Sequence, residues 1–171
     1  MMRKSHIIKT SPKVTIRTIR EAHTLLFYYW RTIKENAQWF FTKNISRDTH
    51  EKWFINNILD ENDYTFIAED TGLRIPIGTV AIYNIDFINK KAKFGRLLLA
   101  HPDYIGKGYG KEITKLAIKV AFEELELDEL SLEVMRDNFV AYSLYSKLGF
   151  KKILFEEDMT LMRLTKNDYK G

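Results

Sequence analysis

The chain contains no cysteine, which excludes a disulfide framework, a thiolate metal site and a cysteine nucleophile together. Only three prolines interrupt its 171 residues. No linker rich in Pro, Gly or Ser divides the chain, and no repeat or low-complexity tract appears. No apolar run approaches the ~18 residues of a membrane span, and "MMRKSHIIKTSPK" lacks the apolar core and cleavage site of a signal peptide. A soluble cytoplasmic protein without a membrane partner is the expectation. Charge of one sign is scarce as well: the formal net charge is +4, with basic and acidic residues interleaved rather than gathered into a nucleic-acid stripe. A small anionic ligand suits that balance better than a polynucleotide. His6, His23 and His101 show no metal-ligand spacing, so no metal is expected.

What is present is a 45% hydrophobic chain, long enough for one domain with a real core. We expect a single domain over residues 1–171, with 1–13 frayed. "KVTIRTI" alternates apolar with polar residues and predicts the first strand. Residues 21–41 and "SRDTHEKWFINNIL" are helix-compatible, the latter with Ser46 as N-cap. "YTFIAED", "IPIGTVAIYNIDF" and "KAKFGRLLLA" predict an antiparallel meander, with "DTG" and "INKK" as turns. A helix from Gly108 buries Ile113, Leu116, Ala117, Val120 and Ala121. "ELSLEVM" is a strand, and "NFVAYSLYSKLGF" a short helix capped by Asn138 and closed by Gly149. "KKILF" and "MTLMRLT" finish as a strand pair. The order β-α-α-β-β-β-α-β-α-β-β is mixed α/β.

Three alternating glycines, Gly106, Gly108 and Gly110, open the helix that follows "HPDY". A helix N-terminus carries unpaired N–H groups and partial positive charge, and glycines let that backbone approach a pyrophosphate. The P-loop pattern fails, since Ile105 stands at its first Gly and Glu112 at its Ser/Thr. The dinucleotide pattern G-x-G-x-x-G fails too. Lys107 and Lys111 lie near enough to help neutralise phosphate.

"YIGKGYG" followed by "NFVAYSLYSKLGF" resembles the signature of the GNAT acetyltransferase superfamily, [QR]-x-x-G-x-[GA] and then N-x-x-A-x-x-x-Y-x-x-x-G-F. Gly108, Gly110, Asn138, Ala141, Tyr145, Gly149 and Phe150 match, Gly95 falls at the expected bulge of "FGRLLLAHPDY", and Ile105 departs from the Arg or Gln of the loop. The resemblance implies the GNAT fold, a mostly antiparallel mixed sheet of about seven strands with about four helices. It implies N-acetyl transfer from acetyl-CoA to a primary amine. Ile105, Gly106, Lys107, Gly108, Tyr109, Gly110 and Lys111 would hold the pyrophosphate, Asn138 would touch the pantetheine arm, and the backbone of Leu97, Leu98 and Leu99 would stabilise the oxyanion. Tyr145 would protonate the departing sulfur. Glu133, opposite Leu130, Leu132 and Val134, is one candidate base through water, and His50, a titratable helix residue, is another.

"WRTIKENAQWF" and "ISRDTHEKWF" are similar to the subgroup that acetylates the 4-amino group of UDP-linked amino-dideoxy sugars in the pseudaminic acid pathway. Arg31, Trp39, His50 and Trp53 are the implied acceptor contacts, with Lys43 and Arg47 as further phosphate partners. A polyamine, suited to the acids of "DENDYTFIAED", and a ribosomal-protein N-terminus are rival acceptors. A non-catalytic acyl-CoA-binding module is the rival of another class. Both a monomer and a homodimer remain open.

Overall fold

The computed structural model describes residues 4–38 and 44–171. An eight-stranded sheet runs in the order β1-β2-β3-β4-β5-β6-β8-β7. Its strands are β1 (Ile8–Thr10), β2 (Val14–Thr18), β3 (Tyr64–Asp70), β4 (Pro76–Asp86), β5 (Lys91–Leu99), β6 (Glu129–Met135), β7 (Lys151–Phe155) and β8 (Met159–Thr165). Five α-helices accompany it among the described residues: α1 (Thr24–Thr32), α2 (Lys34–Ala37), α3 (Arg47–Leu59), α4 (Tyr109–Lys119) and α5 (Phe139–Lys147). All neighbours are antiparallel except β5 and β6. None of these helices is long and apolar enough to cross a membrane.

The expected strands from Val14 onward recur within a residue or two. The frayed start does not hold for residues 8–10: β1 pairs with β2 across a turn in which Ser11 N–H donates to Val14 O at 2.7 Å. The first helical stretch is broken, because Ile33 is extended (ψ 124°) and separates α1 from α2. Ser46 does cap α3, accepting from Thr49 N–H at 3.2 Å. A π-helical turn, Val120–Glu124, ends α4.

The sheet's two faces bury different cores. Phe66, Ile82, Phe94, Leu130 and Leu132 meet α4 on one face, where the predicted stripe of Ile113, Leu116, Ala117, Val120 and Ala121 is buried. Ala141 and Leu144 of α5, and Leu148 just after it, pack against this cluster. On the other face a smaller cluster joins Phe27 and Trp30 of α1 and Phe54 of α3 to Ile67 and Leu98.

Two irregularities shape the centre. β5 and β6 pair only over Lys91–Lys93 with Glu129–Ser131, and then part. Against β4, β5 carries a bulge: Thr79 faces Leu98 while Ala81 faces Gly95, so one extra residue is accommodated. Gly78 permits the close approach of these strands, since a Cβ there would lie 2.0 Å from Leu98 O.

Candidate active site

The parting of β5 from β6 leaves main-chain groups without ladder partners. Ala100 N–H donates to Ile77 O, so by the alternation of an extended strand Leu98 also addresses β4. Leu97 and Leu99 therefore turn their N–H groups toward the gap. Leu98 differs from its two neighbours: its side chain is buried in the smaller cluster. Of the three expected oxyanion partners, Leu97 and Leu99 address the gap.

The glycine loop stands at the open end of this gap. Gly106 and Gly108 have positive φ (75° and 82°), and Gly108 is the N-cap of α4. Nothing lies within 4 Å of a Cβ built on Gly106, so the loop faces open space. A methyl on Gly110 would touch Leu99 at 3.7 Å and Leu144 at 4.0 Å, so helix start, strand and α5 converge there. Ile105, Lys107 and Lys111 are exposed.

Lys13, Asp70 and Tyr104, which the sequence did not single out, brace the loop together with Tyr109. Lys13, at the start of β2, donates to Lys107 O at 2.6 Å and lies over the Tyr109 ring at 4.5 Å. Tyr109 donates to Asp70 at 3.1 Å, and its ring meets Tyr104 edge-on at 4.7 Å. Hydrogen bonds from Leu73 N–H, Tyr109, Gly72 N–H and Tyr104 hold the Asp70 carboxyl below its ordinary range. These contacts cross from β2 and β3 to the loop, which local patterns do not report.

Tyr145 closes the base of the gap from the α5 side. Asn138 caps α5, its side chain accepting from Ala141 N–H at 3.1 Å, and Tyr145 follows two turns later. It packs edge-on against Phe94 at 5.6 Å and Phe150 at 5.8 Å. Burial pushes the phenol's pKa well up, so it stays protonated. Its hydroxyl makes no hydrogen bond among the described residues.

Across the sheet, Glu133 lies on the face opposite Leu132 and Val134, half-exposed, and pairs with Lys93 at 3.0 Å. That hydrogen bond raises the Lys93 pKa. His50 is not on the surface: it is fully buried, among Tyr28, Trp53 and Phe54. Its Nε2 donates to Thr24 O at 3.1 Å, Nδ1 has no partner among the described residues, and desolvation lowers its pKa. The structure thus places this imidazole in the α1–α3 core, away from solvent. Trp53 is flanked by Arg96 at 5.3 Å and Arg31 at 5.9 Å. Burial, and then the Arg96 charge, lower the Arg31 pKa. Arg47 pairs with Glu51 on the surface. Trp39 and Lys43 lie outside the described residues. No group of histidines and carboxylates among the described residues could hold a metal.

The comparisons agree with this geometry. The profile of the acetyltransferase (GNAT) domain matches residues 13–151. The acetyltransferase PseH of Campylobacter jejuni is 32% identical over 134 residues, 78% of each chain. The spermidine N(1)-acetyltransferase of Vibrio cholerae is 30% identical over 114 residues, 67% of this chain and 64% of that protein. A crystal structure of spermidine N-acetyltransferase from Vibrio cholerae, in complex with CoA and spermine, superposes with a TM-score of 0.83 at 22% identity, covering 94% of this chain and 100% of that one. With the splayed strands, the glycine loop and the motif of α5 in place, this chain belongs to the GNAT acetyltransferase family and so to the acetyl-CoA-dependent acyltransferases.

Proposed function

We propose that the protein transfers an acetyl group to the primary amine of a nucleotide-linked amino sugar. The observation that carries acetyl transfer is the convergence of Gly110, Leu99 and Leu144 at one gap, with Tyr145 at its base. Bound acetyl-CoA supplies an activated thioester carbonyl. The backbone N–H groups at Gly108 and Gly110, with Lys107 and Lys111, hold the pyrophosphate at the start of α4. Ile105 adds no charge there, and Lys13 stands close by instead. The gap between β5 and β6 takes the pantetheine arm, with Asn138 at its rim. Leu97 and Leu99 offer N–H donors to the carbonyl oxygen as it gains charge, in a position fixed before substrate arrives.

A C–N bond forms, the C–S bond breaks, the amine loses one proton and the sulfur gains one. Glu133 accepts the amine's proton through water, and its pairing with Lys93 at 3.0 Å holds the carboxylate in place. Tyr145, held protonated, donates to the sulfur. Its raised pKa keeps the proton on the phenol while the C–S bond breaks, so the hydroxyl is present as a donor when charge develops on the sulfur. His50 has no part in this reading, because its buried ring reaches neither solvent nor the gap.

The acceptor class rests on charge. Three of the five acids of "DENDYTFIAED" are engaged: Asp63 pairs with Arg96, Glu69 with Arg17, and Asp70 with the loop tyrosines. The face around Trp53 carries the guanidinium of Arg31, which favours a diphosphate over a polycation. The second reading is a polyamine acceptor, favoured by the spermidine N(1)-acetyltransferase of Escherichia coli, 29% identical over 87% of this chain. Thiol release from acetyl-CoA, with a UDP-4-amino sugar, spermidine and an alanine-initiated peptide in parallel, separates them. Turnover with the sugar alone is expected; turnover with spermidine alone discards the sugar.

A further inference from the structure

The face of the sheet under α1 and α3 carries a polar construction that the acetyl-transfer steps do not use. At the β5 bulge the left-handed residue is Arg96 (φ 51°), not the glycine beside it. Gly95 serves a different need, since a Cβ there would meet the Tyr83 ring at 3.0 Å. A residue with a side chain keeps such a conformation only where its surroundings over-determine it. Here they do. Thr79 Oγ1 donates to Arg96 O at 2.7 Å. One guanidinium nitrogen of Arg96 donates to both carboxylate oxygens of Asp63, at 2.9 and 2.7 Å, and to Thr65 Oγ1 at 2.8 Å. The guanidinium lies over Tyr83 at 4.4 Å and near Trp53 at 5.3 Å. Asp63 is buried, its side chain 9% exposed, and Thr65 Oγ1 donates to it at 2.9 Å. The arginine is a strut from β5 across β4 to the start of β3.

We propose that Arg96, anchored by Asp63, is a positioning residue for acetyl transfer: it fixes the bulge that turns the N–H groups of Leu97 and Leu99 into the gap. The reason is strand alternation. Without the extra residue the register slips by one, and a one-residue slip reverses which groups face each side. Leu98 would then address the gap and its neighbours β4. The strut therefore selects which amides meet the thioester carbonyl, without touching the reacting atoms. This inference deepens the acetyl-transfer reading and rests on it.

The test compares Arg96→Lys, which keeps charge but loses the shared contact with Asp63 and Thr65, with Thr79→Val, which frees Arg96 O and leaves every ion pair intact. Thiol release at saturating acceptor, CoA affinity by calorimetry and the amide shifts of 15N-leucine protein are measured below the melting range. Turnover should fall roughly 10- to 100-fold, as for a misplaced oxyanion donor. CoA affinity and the acceptor KM should stay within about threefold, because the pyrophosphate loop is untouched. Leu97 and Leu99 amides should move while Leu130 and Leu132 stay. Adding Asp63→Glu to Arg96→Lys, which lets a longer carboxylate meet the ammonium, should recover part of the turnover. Turnover within twofold of the parent, or unmoved Leu97 and Leu99 amides, overturns the proposal, as does a rise in acceptor KM with turnover intact. Were the parent protein to release no thiol with any amine, acetyl transfer would fall as a reading, while the amide shifts would still decide whether the strut sets the bulge.

Discussion

The two faces of the central sheet are built from different materials. The face under α4 and α5 is apolar packing and bare backbone: Phe94, Leu130 and Phe150 around one phenol, with glycines where the helix begins. The face under α1 and α3 is organised by ions and rings: Arg96 on Asp63, Lys93 on Glu133, Arg31 by Trp53. A thioester with a fixed handle needs the first, since backbone amides and a protonated acid serve it whatever the acceptor. In the proposed reading, recognition of one amine falls to Arg31 and Trp53 on the second face, which can differ without disturbing the cofactor's bed.

Three substitutions sharpen or break that division. Tyr145→Phe should cost most, lowering turnover about 100-fold or more for every acceptor, with CoA affinity nearly unchanged. Thiol release and calorimetry check this; an acceptor-dependent loss would blur the two faces. Glu133→Gln should lower turnover roughly tenfold near neutrality, measured by thiol release, while leaving CoA affinity alone. It also removes the hydrogen bond that raises the Lys93 pKa, so Lys93 should titrate lower, visible by NMR. Turnover within twofold of the parent would exclude Glu133 as base.

Asp70→Asn should have the smallest effect, weakening CoA binding roughly two- to fivefold through the Tyr109 and Tyr104 contacts. Its pH signature has a definite sign. The folded-state pKa of Asp70 is depressed, so its contribution to stability is whole above the ~3.9 of an unfolded carboxyl and is lost as pH falls through the lower folded value. Acid unfolding of the parent should therefore include a component that the Asn variant lacks. Identical acid profiles would show the loop stands without this carboxylate.

The same division explains what could be read from the sequence. The α5 face was legible because its information is local: Asn138, Ala141 and Tyr145 sit at helical intervals, and Gly149 takes the positive φ expected after a helix end. The other face was not, because Arg96 meets Asp63 across 33 positions and through a bulge that shifts the register. His50 carried no signal of its burial: its helix places it beside Trp53 and Phe54, and only docking against α1 encloses it. The short strand β1 escaped because three residues give little alternation, although "SP" between two β-branched runs is a turn signal.

Gly78 carries a consequence for how the protein can change. The carbonyl of Leu98 sits where the first carbon of any side chain at Gly78 would go, between the two leucines whose amides face the gap. Every single substitution at position 78 is thus an alteration to the inner dimensions of the reaction chamber, made from the strand behind it. On the proposed reading, diversification toward new amines can proceed through Arg31 and Trp53, whereas position 78 has room behind Leu98 for nothing larger than a hydrogen atom.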